Sequence, residues 1–91
     1  MAKGVFYNVD ASPKTGIKSE EIQEKLNLAV DWIFYDINHW IIYSMSDVEK
    51  WMTRLKPLIE PDGQLFICEI NLTNHNGWMD QSFWDWIAKR V

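Results

Sequence analysis

Apolar and polar positions along the chain change period several times, and each change marks an element. Residues 3–9 (KGVFYNV) are β-branched and aromatic and predict a first strand. Residues 10–18 hold Ser12, Pro13 and Gly16 and predict a loop. Ser19, followed by Glu20 and Glu21, is placed to open a helix. Its hydroxyl can accept an orphan amide, and the acids sit at the positive end of the dipole. The apolar stripe Ile22, Leu26, Ala29 has helical spacing. Residues 31–37 (DWIFYDI) and 39–45 (HWIIYSM) predict a second and third strand joined by a tight turn near Asn38.

Ser46-Asp47-Val48-Glu49 reads as a capping box ahead of the stripe Val48, Trp51, Met52, Leu55. Pro57 is expected to end the regular part of this helix, with Leu58 and Ile59 continuing its apolar surface. Pro61-Asp62-Gly63 predicts a turn and residues 64–70 (QLFICEI) a fourth strand. After the polar segment 71–77, Phe83, Trp84 and Ile87 predict a short C-terminal helix from Asp80 onward. The order strand, helix, strand, strand, helix, strand predicts an α+β fold, a ferredoxin-like plait (βαββαβ) with a short C-terminal helix. No internal repeat or linker divides the chain, and residues 1–91 are expected to form one domain.

A sheet wet on one face alternates apolar and polar side chains. These strands do not. Trp32 and Phe34 oppose Ile33 and Tyr35, Trp40 and Ile42 oppose Ile41 and Tyr43, Leu65 and Ile67 oppose Phe66 and Cys68, and Val5 and Tyr7 oppose Phe6. Two helices cover one face, so the other needs a second cover. A homodimer packed sheet on sheet supplies it with one self-complementary patch. The alternatives are a tail that wraps the face with Trp78, Trp84 and Trp86, or a different protein partner. The expected partner or dimer interface is Tyr7, Ile33, Tyr35, Ile41, Tyr43, Trp78 and Trp86.

Composition narrows the function classes. Six tryptophans in 91 residues is a large excess. Trp32, Trp40 and Trp51 fall at periodic positions that suit packing, whereas Trp78 and Trp86 are candidate partner anchors. The net charge of −4 argues against nucleic acid as a partner, with Lys50, Arg54 and Lys56 as the local exception. No apolar run reaches a membrane span and no leader pattern is seen, so a cytoplasmic chain without membrane contact is expected. His39 and His75 form no zinc signature. Asp36 with His39 is a candidate acid–base pair or simply part of the turn. Cys68 reads as a small buried hydrophobe. The glycines are scattered and form no phosphate loop.

The run 32–42 (WIFYDINHWII) brings a tryptophan, a tyrosine, an aspartate and a second tryptophan in close succession. Together with Leu55-Lys56-Pro57, the segment from Asp62 to Ile67, Gly77-Trp78 and Trp86-Ile87, it resembles the small SinR-like proteins. The resemblance covers most of the chain and rests on scattered aromatics and their spacing. SinR-like proteins are in turn similar to the Cas-two family of CRISPR adaptation, ferredoxin-fold dimers described as metal-dependent nucleases or as non-catalytic scaffolds. The resemblance implies the plait, a dimer and a setting in bacterial or phage defence or counter-defence, including anti-CRISPR roles. The family's candidate catalytic aspartate ends the first strand. The matching position here is Asn8, which brings no charge, and Asp10 is the one nearby substitute. A non-catalytic interaction protein without cofactor is therefore expected. A magnesium- or manganese-dependent nuclease using Asn8 and Asp10 is one alternative, and a non-cutting nucleic-acid binder the other.

Overall fold

The structure, a computed structural model, describes residues 4–90. Its elements are β1 (Val5–Ser12), α1 (Ser19–Leu26), β2 (Asp31–Asp36), β3 (His39–Ser44), α2 (Val48–Ile59), β4 (Gln64–Ile70) and α3 (Gln81–Ala88). The strands form one four-stranded antiparallel sheet in the order β2-β3-β1-β4. The fold is α+β, with three helices among the described residues. No helix of the described residues is long and apolar enough to cross a membrane.

Three local expectations are corrected. The first strand was expected over residues 3–9. Lys3 lies outside the described residues, and β1 runs on to Ser12. Asp10, Ala11 and Ser12 stay extended because β1 is central: Asp10 pairs with His39 on one side and Phe66 on the other, and Ser12 with Gln64. Second, both caps shift by one residue. Lys18 precedes α1, and its amide donates to the Glu21 carboxylate at 3.0 Å. Asp47 caps α2, accepting from the Lys50 amide at 2.9 Å. The Ser46 hydroxyl instead accepts from Arg54 at 3.2 Å. Third, α2 continues through Pro57 to Ile59. Proline removes one bond to the Thr53 carbonyl near the helix end, while continuation buries Ile59, which contributes about 1.5–3 kcal/mol.

Each sheet face carries its own core. On one face Tyr7, Val9, Ala11, Trp40 and Ile42 meet Ile22 and Leu26 of α1 and Trp51, Leu55 and Ile59 of α2. On the other, Phe6 and Ile41 meet Trp86 and Ile87 of α3, with Ile33, Tyr35, Tyr43 and Phe83 packed around them. The lack of alternation in the strands thus has a structural cause. The tail covers the β2–β3 side of the second face, and Phe6 and Trp86 meet edge to face at 5.9 Å.

The tryptophans differ in how their indole N–H is satisfied. Trp32 donates to Asn27 at 2.9 Å, Trp40 to Gln23 at 3.3 Å and Trp51 to Ser44 at 2.8 Å. The N–H of Trp86 is buried without a partner. Trp78 is 99% exposed.

Candidate functional site

The polar groups of the second face gather where β1 meets the β2–β3 turn. Alternation along β1 puts Asn8 and Asp10 on the same side as Phe6. The β2–β3 turn supplies their neighbours. Asn38 takes the left-handed conformation at φ 59° that a tight hairpin turn requires, and the Asp36 carboxylate accepts from the Ile37 amide at 2.8 Å. His39 follows directly. Its Nδ1 lies 2.6 Å from the Ile37 carbonyl oxygen and its Nε2 3.3 Å from Asp10 Oδ2. The partner of His39 is therefore Asp10 and not Asp36, which is occupied in the turn. Both members of the pair are half-exposed, so their attraction contributes no more than about 1 kcal/mol.

Tyr35 completes the group. Pairing between β2 and β3 shifts register between Phe34 and Asp36. The Tyr35 hydroxyl donates to Asn8 Oδ1 at 2.8 Å. Its ring lies 5.9 Å from His39 and edge-on to Phe83 of α3 at 5.8 Å. Burial, then the carboxylates of Asp10 and Asp36, raise the Tyr35 phenol above its ordinary range. The arrangement offers one accessible carboxylate–imidazole pair for proton transfer beside an amide whose oxygen is already engaged. One carboxylate and one imidazole are a poor set for a hard divalent cation. Among the described residues no group of three histidine, cysteine, aspartate or glutamate side chains could hold a metal ion.

The expected interface residues separate. Tyr7 drops out of the second face: it points to the helix side, where its hydroxyl donates to the Ser46 carbonyl at 3.0 Å. Ile33, Tyr35, Ile41 and Tyr43 do share the second face, but beneath α3. Arg90 stacks over the Tyr43 ring at 5.0 Å and pairs with Asp31 at 3.5 Å. Trp86 is part of the cover itself. Trp78 projects into solvent beside Leu72, Met79 and Trp84.

The basic residues of α2 do not act as one strip. Arg54 stacks on Trp51 at 4.7 Å, Lys56 pairs with Glu60 at 3.6 Å, and Lys50 lines a shallow depression with Asp47 and Glu49. Cys68 is exposed, contrary to its expected burial, because its side of β4 lies beyond the reach of α3. Two features were not anticipated. The Asp10–His39 pair needed the β1–β3 register. The exposed flank of β4, with Phe66 63% exposed, needed the strand order. No protein-family model, no curated protein and no solved structure matches this chain.

Proposed function

We propose that the chain is a ferredoxin-like, non-catalytic protein-interaction module of the SinR-like type. The element order βαββαβ and the sheet order β2-β3-β1-β4, with α1 and α2 on one face, support the plait. The observation that carries the interaction reading is Trp78. A whole indole stands in water, 99% exposed, on the segment that leads into α3. It borders an apolar depression of about 250 Å³ formed with Leu72, Phe83 and Trp84. Large aromatics of this kind dominate the energetics of protein interfaces when a partner buries them.

A second copy is the partner proposed for this side, making the protein a homodimer. The twofold contact then involves the outer surface of the tail and not Ile33, Tyr35, Ile41 and Tyr43 directly. The resemblance puts such a module in bacterial or phage defence or counter-defence. Molar mass in solution tests the dimer. Twice the 10.8 kDa chain is expected for the parent protein and a single chain for Trp78→Ala. A parent protein that is monomeric at all concentrations removes the dimer.

The accessible Asp10–His39 pair favours a second reading, divalent-metal-dependent phosphodiester cleavage with Asp10 and Asn8 of each of two copies lining a cleft at a dimer axis. It predicts magnesium- or manganese-dependent cleavage of single-stranded RNA or duplex DNA that is lost in Asp10→Ala. Cleavage that survives the substitution removes it.

A further inference from the structure

β4 is an edge strand. It pairs with β1 from Phe6↔Ile70 to Ser12↔Gln64 and, among the described residues, has no strand on its other side. An edge presents unpaired N–H and C=O groups, which proteins usually blunt with proline, bulges or charge. β4 has seven residues, no proline, no register shift against β1, and a single charged residue, Glu69. Beside it lies a groove lined by Val48, Glu49 and Met52 of α2 and Leu65, Phe66 and Ile67 of β4. Val48 and Met52 are partly exposed and Phe66 largely so. A row of free backbone groups between apolar walls is the geometry of β-strand addition, in which an extended peptide joins a sheet edge.

We propose that the α2–β4 groove takes an extended segment of a partner protein as a fifth strand, with alternating apolar side chains and basic residues at one end. This rests on the reading of the chain as an interaction module and names the chemistry of its partner. Charge selects the occupant. Glu49 stands in the groove wall, Glu69 lies opposite Tyr7 in the β1–β4 register, and the Tyr7 hydroxyl donates to the carbonyl of Ser46, next to Asp47, which puts both carboxylates near the end where α2 begins. Among the described residues none of the three is in an ion pair. The nearby cations form no ion pair with these carboxylates. Arg54 is held by Trp51 and Ser46, and Lys50 lines the depression between Asp47, Glu49 and Thr53. A second copy of β4 is a poor occupant, because it carries Glu69 and no cation, and the chain's net charge is −4. A lysine or arginine on an incoming strand meets the carboxylates, while its apolar side chains cover Val48, Met52 and Phe66.

The full chain is titrated with three fluorescent nonapeptides of alternating valine and threonine: one preceded by two lysines, one by two glutamates, and the lysine peptide methylated at alternate backbone nitrogens. The lysine peptide is expected to bind roughly tenfold or more tightly than either other peptide. Phe66→Asp and Met52→Glu change exposed positions, so a folded variant, verified by circular dichroism, is expected to lose that binding. Glu49→Lys combined with Glu69→Lys is expected to reverse the preference between lysine and glutamate peptides. Equal binding of the three peptides, or no binding to the folded chain, overturns the proposal. So does a dimer that Phe66→Asp dissociates, since it would place a second copy in the groove. A chain that remains a Trp78-dependent dimer but ignores the peptides loses the groove and keeps the interaction reading. A monomer that binds the lysine peptide loses the dimer and keeps the groove.

Discussion

Trp51 and Ser44 form a closed polar pair inside the helix-side core. The indole N–H donates to the hydroxyl at 2.8 Å, and both residues are sealed from solvent. The same hydroxyl oxygen accepts from the Ser46 amide at 3.0 Å, so one small side chain ties α2 to the end of β3. Ser44→Ala leaves the buried indole donor unsatisfied, which costs about 1–3 kcal/mol. Chemical denaturation of the variant is expected to show that loss. In a Trp51→Phe background the substitution is expected to cost clearly less, because the stranded donor is gone.

Gly63 sits where the turn after α2 passes closest to β1. Its amide donates to the Ile59 carbonyl at 2.7 Å, and a methyl group on its Cα would run into the carbonyl oxygens of Ser12 and Ile59. Both obstacles are backbone and give little. Gly63→Ala is expected to cost about 3 kcal/mol, at the upper end for overpacking. For a domain of this size that lowers Tm by roughly 12–24 °C, which calorimetry measures.

Trp86 and Trp78 are expected to part in a stability scan although both lie in the tail. Trp86 packs on Phe6 in the second core, so Trp86→Ala costs about 3–5 kcal/mol and exposes Ile41 and Tyr43. Trp78 packs against so little that Trp78→Ala changes folding stability by no more than about 0.5 kcal/mol. A large loss at Trp78 in a monomeric preparation would show that its side chain has a buried role.

Tyr35 is held above the ordinary phenol range by burial first, then by Asp10 and Asp36. Tyr7 is held there by burial first, then by Glu69 and Asp47. Above about pH 10 the unfolded chain therefore loses protons that the native chain keeps. The native state then binds more protons, and stability falls as pH rises through the native values. Phenolate absorbance is expected to show late ionisation of two tyrosines in the native protein. Tyr35→Phe is expected to remove one of them and to soften the alkaline loss of stability.

Asp62 works in the opposite direction. Thr15 donates to its carboxylate with its hydroxyl and, at 3.1 Å, with its amide. The hydroxyl bond first, then the amide bond, hold the carboxyl below the usual carboxylate range. This latch contributes stability above the unfolded carboxylate value of about 3.9 and loses it as pH falls through the native value. Thr15→Val is expected to raise the Asp62 titration midpoint, read by carboxyl carbon NMR. The stability difference between parent and variant is expected to narrow as pH falls through the native value.

The polar group around Tyr35 marks where local reading ran out. Sequence alone offers Asn8 with Asp10 and Asp36 with His39 as two separate candidate pairs. Pairing His39 with Asp36 was the nearer choice along the chain. The partner proved to be Asp10, 29 positions away in sequence, because antiparallel register sets the two opposite one another. The groove beside β4 was similarly hidden. Phe66 reads as one more apolar strand residue until β4 is known to be an edge.

What the sequence determined by itself was local and periodic. Spacing of Ile22 and Leu26 and of Trp51 and Leu55 specified two helices with one buried stripe each, and doubled apolar positions specified strands with two apolar faces. Those follow from backbone geometry, which repeats along the chain and needs no distant partner. The tertiary structure alone decided which cover each face received. Tyr7 went beneath the helices because its position alternates with Phe6, and α3 closed over Phe6 and Ile41 but stopped short of Phe66 and Cys68. An eight-residue helix cannot span four strands spaced about 4.8 Å apart, so one flank of the sheet stayed open.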